Sequence, residues 1–291
     1  MIHFIVNPSA GGGKAQKSVL MIQNFMNKKH IKYKISFTKC PNDATQIARQ
    51  AVLDGDKKII AVGGDGTALE VLCGLKPEDD VYFGVIPLGT GNDFVRTLNI
   101  GKDIETALNI VISDNYINSD FIEVLDKYCL NISSIGIDAE IVKDSYALKK
   151  AFKGFSYLAA VLKNVVDFKP YRATLVIDGK IIDDDFTLVA IANGKYYGGG
   201  FMIAPSARLD SGEMLVCTCK KMSNAKMMRV FPMLYAGTHG KLDEVKFYTA
   251  KDKVELYLDK KMNLNVDGNI FPNQEKMEFK IRKNAIKILS P

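Results

Sequence analysis

The stretch GGDGT, residues 63–67, sets a carboxylate between glycines directly after an apolar run, KIIAV. Two more glycine clusters, NPSAGGG at 7–13 and PLGTGND at 87–93, also follow apolar runs. Glycine lets backbone N–H groups approach an anion closely, and the helix start after each cluster adds partial positive charge. Three such loops on one edge suit a polyphosphate. Phosphate would repel Asp65 unless a divalent cation such as Mg²⁺ bridges the two, and Asp93 and Asp120 can join that network. On the residues alone a second reading stays open, in which these carboxylates cap the helices that follow.

The clusters depart from two familiar phosphate motifs. A P-loop needs glycine where Pro8 stands and Ser or Thr where Ala15 stands. The dinucleotide fingerprint fails because Leu69 follows Gly64 and Gly66, and Phe94 follows Gly89 and Gly91, where a third glycine belongs.

The elements that must position these loops alternate along the first 120 or so residues. IHFIV, YKISFT, KIIAVG and VYFGVIP have the texture of strands, with amphipathic helical runs between them. Asn42-Asp43 is the expected cap of the second helix, and Thr67 the expected opening of the third. This order predicts a mostly parallel sheet with crossover helices, whose carboxyl edge is where ligands bind. From about 123 the texture becomes strand-rich, with Asp178-Gly179 as a hairpin signal and helical stretches only near 139–167 and 222–236. The expected fold class is α/β plus β: an α/β domain over 1–122, joined by 280–291, and a β-sandwich-like domain over 123–279.

Composition narrows the classes. A chain of 291 residues with 47% hydrophobic and 25% charged residues is globular and long enough for two domains. The formal charge of +6 favours anionic partners without choosing among phosphate, acidic lipid and nucleic acid. Five cysteines without C-x-x-C spacing read as reduced thiols, and three scattered histidines do not make a zinc site. Met1 runs almost directly into a strand, so no secretory signal is expected, and no apolar stretch reaches spanning length. The basic and aromatic residues interleaved over 146–172 can lie on an anionic bilayer or be the solvated face of a helix pair; no nucleic-acid motif accompanies them. Met222, Met227, Met228 and Met233 around Phe231 and Leu234 suit either an adaptable acyl-chain pocket or an ordinary core.

NPSAGGGK, GGDGTALEV, PLGTGNDFVR, GGGFMIAPSARLDSGEMLV and NVDGN, in this order across nearly the whole chain, resemble the successive motifs of the diacylglycerol kinase catalytic family. PLGTGNDF separates this family from NAD kinases and phosphofructokinases, which share a GGDG-like element. The resemblance implies a two-domain lipid kinase of the cytoplasm that uses ATP and Mg²⁺, meets its lipid at the inner membrane face, and can form a homodimer. It places ATP against Asn7, Pro8, Ser9, Ala10, Gly11, Thr38, Gly63, Gly64, Asp65, Gly66, Thr67, Ala68, Leu69, Thr90, Asn92 and Asp93. Asp267, with Asp65, takes the catalytic part, and a structural Mg²⁺ falls to Asp210, Ser211, Met214 and Asp120.

Three positions depart from the family pattern. Leu69 replaces an asparagine, Ser211 replaces the second aspartate of an Asp-Asp-Gly, and Asn269 replaces the glutamate of an Asp-Gly-Glu. Asparagine neither ionises nor takes a proton at neutral pH, which leaves Asp267 as the candidate base. Read without the family, NVDGN is a turn.

Overall fold

A computed structural model describes residues 1–148 and 156–291. The chain divides into two units, the first comprising Met1–Phe121, Leu209–Gly212 and Arg282–Pro291, the second Ile122–Arg208 and Glu213–Ile281. Leu209–Gly212 thus packs with the first unit although its neighbours in sequence belong to the second.

The first unit runs β1 (Ile2–Val6), α1 (Lys14–Lys28), β2 (Tyr33–Phe37), α2 (Asp43–Leu53), β3 (Lys58–Gly63), α3 (Asp65–Cys73), β4 (Tyr82–Pro87), α4 (Asp93–Thr97), α5 (Ile104–Ile112) and most of β5 (Tyr116–Val124). β1 pairs in parallel with β2 and β3, and β3 with β4. β1 is buried along its whole length, as expected of a parallel strand covered on both faces. α1 turns Ala15, Ser18, Ile22 and Met26 inward, one stripe at helical spacing, and leaves its lysines to solvent.

Two expected helix starts differ. Asn42 sits at φ 67°, in the left-handed region, and makes no side-chain cap; the Asp43 carboxylate instead accepts the Lys39 N–H at 2.7 Å, fixing the turn before α2. α3 opens at Asp65, two residues before Thr67, because Gly64 is extended and already bonds its carbonyl to the Ala68 N–H. α5 is capped by Asp103, which accepts the Thr106 N–H at 2.7 Å.

The second unit holds the end of β5, then β6 (Lys127–Cys129), β7 (Ile132–Gly136), α6 (Ile137–Leu148), α7 (Ser156–Asp167), β8 (Tyr171–Ile177), β9 (Lys180–Ala192), β10 (Met214–Lys220), α8 (Asn224–Ala236), β11 (Val245–Ala250) and β12 (Lys253–Val266). β13 (Asn269–Leu289) begins in the second unit and ends in the first, where Lys287 and Ile288 pair in parallel with Tyr82 and Phe83 of β4. Pairings among β7 to β12 are antiparallel. A mostly parallel sheet therefore describes β1 to β4 and the tail of β13, while antiparallel pairs dominate what the chain builds as a whole.

Period-two alternation gives the second unit two cores. Along β9, Val189 and Ile191 face one apolar cluster with Val216, Leu256 and Phe279. Leu188, Ala190 and Ala192 face the other, which contains Cys217 and Cys219 of β10 and Met227 and Leu234 of α8. α8 is capped by Ser223 on the Lys226 N–H at 3.3 Å and stops at Gly237, whose φ of 65° suits the left-handed C-terminal position. No helix among the described residues is long and apolar enough to cross a membrane. In the basic-aromatic stretch expected to meet a bilayer, Lys149, Lys150, Phe152, Lys153 and Phe155 lie outside the described residues.

Candidate active site

The parallel register of the first unit brings the glycine loops to one edge. Val6 stands level with Phe37 and Val62, and Gly63 with Pro87, so β1, β2, β3 and β4 end together. The ladder then continues one step beyond each strand: the N–H of Asn7 donates to Val62 O (3.1 Å), that of Thr38 to Val6 O (2.9 Å), and that of Leu88 to Gly63 O (2.8 Å). A pocket of about 280 Å³ opens on this edge, lined by Asn7, Pro8, Ser9, Thr38, Lys39, Cys40, Pro41, Thr67 and Glu70.

Asn7 ties two of the loops together. Its amide donates to Thr67 Oγ1 at 3.2 Å, and its carbonyl oxygen accepts from the N–H and hydroxyl of Ser9 at 3.0 and 2.7 Å. Glycine is required where the loops touch. A Cβ on Gly64 would lie 3.1 Å from the Gly89 Cα, and one on Gly89 would lie 2.6 Å from the Gly64 Cα, so the second and third loops meet backbone to backbone. Gly11, at φ 66°, turns left-handed with its Cβ direction closed by the Leu88 carbonyl at 2.7 Å.

Asp65 is engaged by the third loop. Its two carboxylate oxygens accept the N–H groups of Asp93 (3.1 Å) and Phe94 (2.9 Å), so it caps α4 across the loops while standing as the first residue of α3. Asn92, buried at φ 53°, closes the third loop by donating to Gly89 O at 2.8 Å. Asp93 is buried with Arg96 beside it, Nε 3.9 Å from Oδ1. Ala68 and Leu69 are core residues of α3 and do not line the pocket; Thr90 is exposed at the tip of its loop. Leu69 therefore stands in apolar surroundings where the family pattern has an amide.

Four lining residues lie outside the set named from sequence: Lys39, Cys40, Pro41 and Glu70. Lys39 to Pro41 simply continue the turn after Thr38, and Glu70 is one helical turn beyond Thr67, so spacing alone could have found them.

Asp120, Asp210 and Ser211 fall in the first unit and Met214 in the second. Asp120 is buried in the first unit, where its carboxylate accepts the N–H groups of Gly212 at 2.6 Å and Asn284 at 2.8 Å. Burial raises its pKa, the two amides work against that, and the neighbouring charge of Asp210 adds to it. Asp210 and Ser211 are exposed in the loop that Asp120 holds; Met214 begins β10 in the second unit. Among the described residues there is no group of three or more metal-ligating side chains. Of the two carboxylates in the expected set, Asp120 has both oxygens on backbone amides. Asp120 is a clamp that fastens 209–212 and the end of the chain to the first unit.

Asp267 occupies the turn between β12 and β13 in the second unit. Its carboxylate accepts three consecutive N–H groups, Leu130 (2.5 Å), Asn131 (2.9 Å) and Ile132 (3.1 Å), and its own N–H donates to Ile132 O at 3.2 Å. Asn269, the first residue of β13, is exposed. NVDGN is therefore a turn, and its carboxylate is held by three backbone amides.

A second cavity, of about 60 Å³, lies within the second unit between α6, α8 and the helix-facing side of β9 and β10. Met222, Met227, Phe231 and Leu234 line it; Met228 and Met233 do not, and Met228 is exposed.

Two family models cover nearly the whole chain: the diacylglycerol kinase catalytic domain over residues 1–124 and the YegS C-terminal NAD kinase beta sandwich-like domain over 131–290. A diacylglycerol kinase of Bacillus subtilis strain 168 is 32% identical, covering 91% of this chain and 88% of its own. A protein of Shewanella frigidimarina described as a probable lipid kinase, YegS-like, is 30% identical over 86% of this chain and 81% of its own. Among solved structures, a diacylglycerol kinase from Bacillus anthracis strain Sterne shares the fold with a TM-score of 0.77 at 21% identity, covering 100% of this chain and 96% of that one. An NAD kinase from Archaeoglobus fulgidus in complex with ATP is a more distant fold neighbour, with a TM-score of 0.56 at 13% identity over 100% and 94% of the two chains. With the glycine loops on one edge and both models matched in order, the chain belongs to the diacylglycerol kinase catalytic-domain family of lipid kinases.

Proposed function

We propose that this kinase transfers the γ-phosphate of Mg-ATP to the hydroxyl of a diacylglycerol-like lipid. The observation that carries the reading is the pocket at the edge of β1 to β4, where Asn7, Pro8, Ser9, Thr38 and Thr67 meet around one opening. Nucleotide phosphates would lie along the adjoining glycine loops, whose backbone approaches an anion without side-chain obstruction. Mg²⁺ enters as part of the nucleotide substrate, with Asp65 and Asp93 the nearest carboxylates in those loops. Transfer through a loose transition state depends mainly on positioning and charge neutralisation, so the lack of a glutamate at Asn269 is compatible with turnover. Asp267 is the residue of the Asp-Gly-Asn turn able to receive the hydroxyl proton.

The lipid reading is supported by the apolar cavity of the second unit and by the basic and aromatic residues of 156–172 and α8, which suit transient contact with an anionic surface. Transfer of labelled γ-phosphate from Mg-ATP to diacylglycerol, monoacylglycerol, ceramide, sphingosine and phosphatidylglycerol in mixed micelles tests the proposal, with NAD as the soluble control. Labelled lipid that disappears with Asp65→Ala is the expected result; label on NAD alone refutes it. A second reading, a nucleotide- and lipid-binding protein with little turnover, is favoured by Asn269 and by the three amides that hold Asp267. ATP binding without transfer to any lipid would establish it.

A further inference from the structure

We propose that Asp138 is a positioning residue for phosphate transfer: by fixing the direction of a buried hydrogen-bond relay, from Asp138 through Ser134 to Asn265, it holds the Asp267-Gly268 turn in shape. This inference deepens the lipid-kinase reading and rests on the part given there to Asp267.

The relay follows from the way β7, α6 and β12 meet. β7 ends at Gly136, whose φ of 118° turns the chain sharply, and α6 begins at once with Ile137. Asp138 therefore folds back onto Ser134, four residues earlier, and its Oδ2 accepts the Ser134 hydroxyl. Ser134 stands level with Asn265 in the antiparallel pair of β7 and β12. All three side chains are buried.

Polarity passes along the relay one group at a time. Above about pH 6, the value to which burial raises its pKa, Asp138 is a carboxylate and only accepts. The Ser134 proton is committed to it, so toward Asn265 the Ser134 oxygen can only accept, which it does from Nδ2 at 3.2 Å. The same nitrogen lies 3.5 Å from Asp138 Oδ2. With its NH₂ fixed on that side, Asn265 presents Oδ1 to the Gly268 N–H at 2.8 Å. The turn is thereby closed at Gly268, while the Asp267 carboxylate is gripped by the amides of Leu130, Asn131 and Ile132. Without Asp138 the Ser134 hydroxyl is free to donate to Asn265 instead. The amide then turns over, and its NH₂ meets the Gly268 N–H, donor against donor.

Stability does not explain Asp138. Its Oδ1 is buried without a partner, and a buried carboxylate with an open oxygen costs free energy. A group that costs stability is accounted for by what its relay ends on, the Asp-Gly turn.

The test is a set of variants of the full chain at pH 8, read by kcat for lipid phosphorylation, KM for ATP and exchange of the Gly268 amide hydrogen. Asp138→Leu, which removes the acceptor, should lower kcat about tenfold, the scale expected for Asp267→Asn, and leave KM for ATP unchanged. Gly268 exchange should quicken about tenfold, as suits the loss of one hydrogen bond. Asp138→Asn offers an amide oxygen at the Oδ2 position and should restore most of both. Asn265→Leu removes the last link and should match Asp138→Leu, and the double variant should lose no more than either alone. In an Asp267→Asn background, Asp138→Leu should lower kcat no further. Unchanged kcat in folded Asp138→Leu overturns the proposal, as does an additive double variant or a full loss in Asp138→Asn. Asp138→Ala takes the place of Asp138→Leu, with the same outcomes, if the larger side chain prevents folding. Amide exchange separates the two levels. Exchange that responds as described, without transfer to any lipid by the wild type, leaves the relay and removes the kinase reading. Transfer that is indifferent to Asp138 removes its positioning role and leaves the kinase.

Discussion

Two Asp-Gly turns of the second unit, Asp178-Gly179 between β8 and β9 and Asp267-Gly268 between β12 and β13, share one geometry in different surroundings. Both hold Asp left-handed, at φ 46° and 47°, and both glycines stand at φ 87°. This is the pair of positive φ values that a two-residue hairpin of the I′ type needs. Each carboxylate then accepts three consecutive amides of a distant loop, residues 251–253 for Asp178 and 130–132 for Asp267. Asp178 is exposed, whereas Asp267 is half-buried beside Cys129, whose thiol pKa is raised well above its ordinary value by burial and then by the Asp267 charge. The backbone device is thus general. Only the neighbours of the two carboxylates differ.

Asp178, held by amides, and Asp138, held by side chains, also move in opposite directions. At Asp178 burial acts upward, yet three amides bring the pKa below the usual carboxylate value. At Asp138 burial dominates two side-chain partners and raises the pKa to about 6.

The largest expected effect belongs to Asp65, whose two amides are those of α4. Asp65→Ala should lower phosphate transfer by about a hundredfold or more, the scale of losing a principal charge-stabilising contact. The lost cap should cost only about 1–2 kcal/mol of stability. A transfer assay beside thermal unfolding distinguishes these, and a loss of transfer no larger than the loss of fold would make Asp65 a cap alone.

Asp138 gives the next largest effect. Its pKa is raised on folding, so the stability it permits is full below the ordinary carboxylate value and is lost as pH rises through about 6. Moving from 3.8 to about 6 corresponds to about 3 kcal/mol. Asp138→Asn should therefore be more stable than the wild type in urea at pH 8 by up to that amount, with the gain vanishing near pH 4. A gain that is flat with pH would show that the carboxyl is not strained by burial. Asp178 has the opposite sign: its contribution is present above the ordinary carboxylate pKa and fades as pH falls through the lowered value. Because Asp178 is exposed, Asp178→Asn should cost about 1 kcal/mol or less at pH 7 after solvent screening.

The two turns can be compared directly. Asp267→Asn should reduce transfer by about tenfold or more, the lower range for loss of a general base, while Asp178→Asn leaves it unchanged. Equal effects in the two variants would make both turns architecture. Asn269→Glu, which restores the glutamate of the family pattern, should raise the rate severalfold, within the range of added acid–base assistance; no change would mean that Asp267 or positioning alone suffices.

Much of the first unit was legible in sequence because parallel strands buried on both faces must be apolar throughout, and glycine clusters must follow where backbones converge. Thr38 and Thr67 come from the family resemblance; Thr38 stands just beyond β2 and Thr67 in the first turn of α3. The role of Asp120 in the fold was not legible. Asp120 meets Gly212 and Asn284, 92 and 164 residues away, and nothing local announces that its oxygens serve those amides. Asp138 and His239 carry no pattern as a lone carboxylate in GIDAE and a lone histidine in GTHGK; only the folded chain shows that each is buried with one polar atom lacking a partner.

Sequence alone determined which loops could take phosphate, where the texture shifts from βα units to antiparallel strands, and which family the chain joins, because these depend on residue type and spacing along the chain. Tertiary structure decided which carboxylates are already committed to amides and which buried polar atoms are left without a partner. Hydrogen-bond satisfaction is settled by groups far apart in sequence, and only the folded chain brings them within 3 Å or leaves them alone.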